Sequence, residues 1–320
     1  MRRIHVIAAV IRDGQNRILI AKRPEHVHQG GLWEFPGGKL EAGESRSDGL
    51  GRELREELGI GVTEARPVLD IRHDYPDKSV RLDVWLVTGF DGDAHGAEGQ
   101  PVRWVAAAEL DDYAFPAANA PIVRAAQLPE RYLITPDVAD EAELFAGLQR
   151  AREAGVQMVQ LRQTAMSAGE YAALVERVLA EFGDAFQWMM KGDQPPVWPG
   201  VGWHLSSRQL RTFPLSPALP LSPTLSREGR GGKPVLLAAS CHDAEELAMA
   251  AEIGVDFVTL SPVLPTATHP DAQPLGWERA RELIDTVNMP VYLLGGMSTG
   301  ELPEAFEAGA QGIAGIRGLW

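Results

Sequence analysis

The chain of 320 residues contains a single cysteine, Cys241. One thiol cannot build an intrachain disulfide framework, and such usage suits a reducing cytosol, so a cytoplasmic protein is expected. Basic residues are also in deficit: 30 Lys and Arg stand against 44 Asp and Glu, a formal net charge of −14. An acidic surface repels a phosphate backbone, which excludes a broad nucleic-acid groove. A nucleotide substrate is still allowed, because a bound divalent cation reverses the local field. Apolar runs long enough to span a membrane are lacking. The start, Met1-Arg2-Arg3 followed by an apolar stretch over 4–11, has the outline of a signal peptide. His5 interrupts that stretch, Arg12-Asp13 bound it, and no small-residue cleavage site follows, so a first β-strand is expected.

What is present is ordinary globular material, 45% apolar and 23% charged, with length enough for two cores. Short β-rich runs at 2–11 and 18–22 flank the turn Asp13-Gly14-Gln15-Asn16, and 81–90 is a further strand candidate. Trp104 opens a last short segment before Pro116. After about Glu130 the pattern changes to alternating short apolar runs and helical stretches. Strands are expected at 132–135, 158–161, 187–190, 203–205, 235–240, 257–260, 291–294 and 312–316. Helices are expected at 141–153, 168–182, 244–253, 277–287 and 302–308. Repeated strand–helix units imply a parallel sheet, and about eight such strands imply a barrel. The expected division is a first domain over 1–128 and a second over 131–320, joined through Leu128-Pro129-Glu130. One stretch fits neither domain: PLSPAL at 214–219 and PLSPTL at 220–225 form a tandem hexapeptide, and a Gly/Arg-rich tail runs to 232. Pro/Ser repeats of this kind favour extended chain, either as a partner motif or as a tolerated insertion.

The chemistry concentrates between Gly37 and Ile60, GGKLEAGESRSDGLGRELREELGI. Glu53, Glu56 and Glu57 are spaced i, i+3, i+4 and share one face of a helix. Glu44 precedes that helix, and Ser45 or Ser47 can cap it. Carboxylates this close repel one another unless a hard divalent cation, magnesium or manganese, joins them. Without such a cation the same residues read as a solvated face paired with Arg52 and Arg55. Gly37, Gly38 and Gly43 favour the first reading, because they permit tight turns that a plain surface helix does not need.

Gly38, five residues, Glu44, seven residues, then Arg52-Glu53-Leu54-Arg55-Glu56-Glu57-Leu58-Gly59-Ile60 resembles the complete signature of the Nudix hydrolases. That resemblance implies an α/β/α sandwich whose loop–helix–loop holds Mg2+, or Mn2+, through Gly37, Glu53, Glu56, Glu57 and Glu98. Arg52 would orient the carboxylates, with Glu44 supporting them from behind. Trp33-Glu34-Phe35-Pro36 before the signature, Tyr75-Pro76-Asp77, and Phe115-Pro116-Ala117-Ala118-Asn119 after it resemble the MutT-type 8-oxo-dGTP diphosphatases over roughly residues 1 to 128. By that resemblance Asn119 reads the purine edge, since an amide both donates and accepts. Arg23, Phe35, Gly38 and Asp77 would complete the substrate site. The implied reaction is metal-assisted attack at the β-phosphorus, with Glu53 or Glu98 taking the proton from water. Destroying an oxidised nucleoside triphosphate in this way keeps a mispairing base out of DNA.

Residues 131 to 320 resemble thiamine phosphate synthase, a TIM barrel. Tyr132-Leu133-Ile134-Thr135, Val159-Gln160-Leu161-Arg162, Gly202-Trp203-His204-Leu205, Leu260-Ser261-Pro262-Val263 and Gly295-Gly296-Met297-Ser298 carry the likeness. The implied ligand residues are Gln160, Arg162, Ser240, Thr266, Thr268, Gly295 and Gly296, with a thiamine-related phosphate as the ligand. The departures are Thr164 where the family has a lysine, Lys191-Gly192-Asp193 in place of Asn-Asp, His269 in place of a lysine, and no aspartate in Ser206-Ser207-Arg208-Gln209. The helix after the third strand also looks lost. A degenerate barrel is therefore expected, with three readings open: an inactive domain, a ligand-binding module regulating the hydrolase, or a second enzyme making thiamine phosphate.

Overall fold

The computed structural model describes residues 3–213, 235–266 and 272–320. The Pro/Ser repeat, the remainder of the expected insertion to 232, His269 and Thr268 lie outside the described residues. The chain divides into two compact units, Met1–Leu128 with Asn288–Pro290, and Pro129–Val287 with Val291–Trp320.

The first unit is built on a six-stranded mixed sheet. Its strands are β1 (Ile4–Arg12), β2 (Arg17–Lys22), β3 (Trp33–Glu34), β4 (Gly61–Asp74), β5 (Ser79–Asp91) and β6 (Val102–Ala106). The order is β3-β2-β1-β5-β4, with β6 also pairing β2. β1 alternates its side chains between two cores. Ile7, Ala9 and Ile11 pack with Leu50, Leu54 and Leu58 of α1 (Arg46–Leu58), whereas Ala8 and Val10 pack with Ile122 and Val123 of α2 (Ala120–Gln127). The result is the expected α/β/α sandwich.

α1 forms where the signature falls, for local reasons. Leu50, Leu54 and Leu58 recur at i, i+4 and i+8 and are all buried. The Ser45 hydroxyl accepts the Asp48 N–H at 3.1 Å and starts the helix. Gly59, at φ 69°, ends it. β4 was not among the expected strands. Its pairing with β5 shifts register at Val62/Glu64, Glu64/Ala65 and Pro67/Leu69, so its burial never settles into a period of two.

The second unit is a closed barrel of eight parallel strands in the ring β10-β11-β12-β13-β14-β7-β8-β9. These are β7 (Arg131–Ile134), β8 (Met158–Leu161), β9 (Gln187–Met190), β10 (Gly202–Leu205), β11 (Leu237–Cys241), β12 (Phe257–Leu260), β13 (Val291–Leu294) and β14 (Gly312–Gly315). The outer helices are α3 (Glu141–Glu153), α4 (Ala168–Phe182), α5 (Ser207–Thr212), α6 (Ala244–Ile253), α7 (Gly276–Ile284) and α8 (Leu302–Glu307). No helix joins β9 to β10, where Pro195, Pro196 and Pro199 crowd the connection. The short α5 was not expected from the sequence. Among the described residues no helix is long and apolar enough to cross a membrane.

Leu54 is completely buried between α1 and the sheet. Leu54→Ala should therefore cost about 2–5 kcal/mol in urea unfolding. A loss well below that range would contradict the packing of α1 described above.

Candidate active site and barrel cavity

In the first unit a glycine pair brings the loop against both β1 and α1. Ala9 N–H donates to Pro36 O and Ile7 N–H to Gly38 O, both at 2.8 Å, which clamps residues 36–38 to the strand. A Cβ on Gly37 would meet Ile7 O at 2.1 Å, and Gly37 takes φ 142°. A Cβ on Gly38 would meet Glu53 Oε2 at 2.2 Å. Only glycine allows the Glu53 carboxylate to lie against this backbone.

Arg52 organises the acidic residues. Its Nε and Nη2 donate to the two oxygens of Glu44 at 2.9 and 3.0 Å, and Nη1 donates to Glu53 at 2.9 Å and Glu56 at 3.2 Å. Nη2 also donates to Lys39 O at 3.0 Å. These bonds raise the Arg52 pKa, Glu44 contributing most, and hold the Glu44 carboxyl below its usual range. Glu57 lies deeper, accepting the Gly37 N–H at 2.9 Å. Burial pushes its pKa up to about 8, and the negative charges of Glu34, Glu53 and Glu98 push in the same direction. Four carboxylates therefore share one field.

Glu34, at the end of β3, was not picked out from the sequence as a site residue. Burial raises its pKa against the opposing pull of Arg23, with which it forms an ion pair. Arg23 is further fixed by donating to His28 O from Nε and Nη2, at 3.1 and 2.9 Å. Glu98 is exposed in the loop before β6. Among the described residues no three His, Cys, Asp or Glu side chains stand together as a metal-ready group. Arg52 engages Glu53 and Glu56, while the Gly37 N–H engages Glu57. The donor set nevertheless fits a hard divalent cation, since Glu53, Glu57 and Glu98 repel one another, and the carbonyl of Gly37, whose N–H is held by Glu57, accepts no hydrogen bond among the described residues.

Phe35 is packed in the core and stacks on Phe115, with centroids 5.3 Å apart. Trp33 N–H donates to Ala114 O at 2.8 Å, so β3 carries the 114–119 segment beside Glu34. That segment ends at Asn119, which is only 8% exposed yet makes no side-chain hydrogen bond among the described residues, not even to cap α2. Asp77 stands exposed in the turn between β4 and β5, 3.6 Å from His28 Nδ1.

The second unit has a cavity of about 1090 Å3 lined by residues at the C-terminal ends of the barrel strands. Of the residues expected there, Gln160, Arg162, Ser240, Thr266, Gly295 and Gly296 all line it, and Thr268 lies outside the described residues. Thr164 does not line the cavity. Its hydroxyl donates to Asp137 at 3.0 Å, and Arg162 pairs with the same carboxylate at 2.7 Å. Sequence reasoning missed the fully buried His204, which bridges the Tyr132 hydroxyl at 2.9 Å and the Ser240 hydroxyl at 3.0 Å. Burial pushes its pKa down to about 3.

Residues 7–125 match the family model of the NUDIX domain, and residues 225–319 match that of thiamine monophosphate synthase. The chain is 35% identical over 123 residues to the 8-oxo-dGTP diphosphatase of Escherichia coli K12, covering 38% of this chain and 95% of that protein. It is 40% identical over 126 residues to the CTP pyrophosphohydrolase of the same organism, covering 39% and 92%. It is 31% identical over 193 residues to putative thiamine-phosphate synthase 2 of Aquifex aeolicus, covering 59% and 97%. A Nudix sandwich carrying a complete signature and an eight-stranded parallel barrel together define a two-domain enzyme. The chain belongs to the Nudix hydrolases, with an N-terminal domain homologous to 8-oxo-dGTP diphosphatases and a C-terminal thiamine-phosphate synthase-like domain. Hydrolases of this family work with divalent cations.

The raised pKa of Glu57 has a sign that can be checked. A carboxyl whose folded pKa lies above its unfolded value favours folding when protonated, so the metal-free protein should lose stability as pH rises from about 4.5 to about 8. In EDTA, Glu57→Gln should flatten that decline in melting temperature between pH 5 and 8. Parallel curves for variant and wild type would show that the Glu57 carboxyl carries no such strain.

Proposed function

We propose that the N-terminal domain hydrolyses 8-oxo-dGTP to 8-oxo-dGMP and pyrophosphate. The observation that carries this reading is Asn119: a residue only 8% exposed whose amide has no hydrogen-bond partner among the described residues and stays open to solvent, at the end of the segment fixed to β3. An amide left unpaired and open on a side chain that is otherwise packed is held ready for a ligand, and it matches a purine edge that offers both a donor and an acceptor. The 35% identity to a protein that is an 8-oxo-dGTP diphosphatase supports the same substrate.

In this reading Glu53, Glu56, Glu57 and Glu98, with the Gly37 carbonyl, would hold magnesium or manganese, and Gly38 lets the substrate approach the loop. When bound, the cation offsets the triphosphate charge and lowers the pKa of an attacking water. Arg52 keeps Glu44, Glu53 and Glu56 in fixed orientation. Glu53 takes the water proton, because its carboxylate is set by Arg52 on one side and by Gly38 on the other; Glu98, exposed on its loop, is the alternative base. Arg23, held by Glu34 and His28 O, borders the base and sugar, with Phe35 as the rigid wall behind and Asp77 at the rim. A small-molecule nucleoside triphosphate is the partner this site calls for, and its hydrolysis would sanitise the nucleotide pool.

The test is kcat/KM for 8-oxo-dGTP, dGTP and CTP with magnesium. We expect a strong preference for 8-oxo-dGTP, reduced roughly tenfold to hundredfold in Asn119→Ala. Glu53→Gln should lower kcat roughly 10²–10⁴-fold for every substrate. The 40% identity to a CTP pyrophosphohydrolase makes CTP the instructive competitor. A preference for CTP that survives Asn119→Ala would overturn the assignment.

A further inference from the structure

The barrel cavity has a charge pattern unlike the rest of the molecule. Arg162, Lys191, Arg208 and Arg317 line it, and among the described residues no Asp or Glu does. In a chain of net charge −14, a described lining without carboxylates is a marked departure; Asp137, which pairs with Arg162, does not line the cavity itself. Lys191, Arg208 and Arg317 have no ion-pair partner among the described residues. Burial holds the Lys191 ammonium below its usual range and the nearby Arg162 adds to that, against an opposing pull from Asp137. Around the rim the backbone N–H groups of Gly295 and Gly296 find no acceptor among the described residues; both residues have positive φ, at 99° and 70°. Such groups await an anion.

The hydrogen-bond order below the cavity floor adds a directed donor. Gln160 Nε2 donates to the Tyr132 oxygen at 3.1 Å. Tyr132 is fully buried, so its own proton needs an acceptor, and His204 Nδ1 lies 2.9 Å away. The ring hydrogen of the neutral His204 is then on Nε2, which donates to Ser240 Oγ at 3.0 Å. Ser240 spends an acceptor site on that bond and keeps its hydroxyl proton for the cavity that it lines.

A barrel of this class implies a divalent cation beside a diphosphate, held by an aspartate after the fourth strand. Ser206-Ser207-Arg208 occupies that loop after β10, and the described residues of the lining offer no carboxylate, so a metal ion does not fit this part of the wall. We propose that the cavity binds a small phosphate-bearing anion directly, with protein cations, Arg208 foremost, supplying the positive charge that a metal would otherwise bring. The site is distinct in residues and in metal dependence from the hydrolase site of the first unit.

The experiment is isothermal titration of the full-length protein with inorganic pyrophosphate in EDTA, where metal-dependent binding to the Nudix carboxylates is absent. The expected result is one site per chain, unchanged in Glu53→Gln. Ser240→Ala and the double variant Arg208→Gln/Arg317→Gln should each bind more weakly, the double variant by at least about tenfold. Arg208 and Arg317 are exposed, so their removal leaves the core intact, which circular dichroism would verify. Absence of binding in EDTA would overturn the proposal, as would binding restored by magnesium alone in the Glu53→Gln background. Binding indifferent to the double variant would also overturn it.

Discussion

The Nudix half depends on one guanidinium. Glu53 and Glu56 on the helix and Glu44 just before it repel when brought together, and Arg52 reaches all three at 2.9–3.2 Å. A planar fork with five donors can do this where an ammonium cannot. The two glycines before the helix complete the arrangement by letting the chain pass close to Glu53 and Glu57. Glu57, which makes no hydrogen bond with Arg52, is pushed to a pKa of about 8 by burial first and by the neighbouring carboxylates after it. Helix, loop and acidic field are therefore one object: the helix would form without the glycines, but its carboxylates would not meet the loop.

The barrel solves the opposite problem. Among the described residues its cavity gathers cations without carboxylates, and the buried imidazole of His204 is kept neutral, with a pKa of about 3. Two sites of opposite sign in one chain suit two phosphate chemistries. In the first, acidic residues want a metal between themselves and the nucleotide. In the second, basic residues want the anion itself. No helix connects β9 to β10, and Thr164 is engaged with Asp137 without lining the cavity.

Legibility in the sequence followed the range of the interactions involved. The signature fixed α1 and its charged face because every determinant lies within 24 residues, from Gly37 to Ile60. The barrel strands were readable as four-residue buried runs separated by capped helices. β4 escaped because its bulges erase alternation, and Glu34 because its place beside Glu57 depends on a two-residue strand pairing Ala21 with Glu34. The Gln160–Tyr132–His204–Ser240 chain had no signal in spacing: Tyr132 and His204 are 72 residues apart and meet only when β7 and β10 join the same ring. Likewise, the absence of acid among the described residues of the cavity wall emerges only in the closed barrel, since acidic residues are abundant along the sequence.

If Arg52 is what assembles the acidic site, the most direct measurement is Arg52→Lys, which keeps the charge and removes the fork. Manganese affinity and kcat for 8-oxo-dGTP hydrolysis should both fall roughly 10–100-fold while the unfolding midpoint stays near that of the wild type. Wild-type affinity and turnover in Arg52→Lys would contradict the account, because any nearby cation would then serve and the geometry of the guanidinium would be incidental.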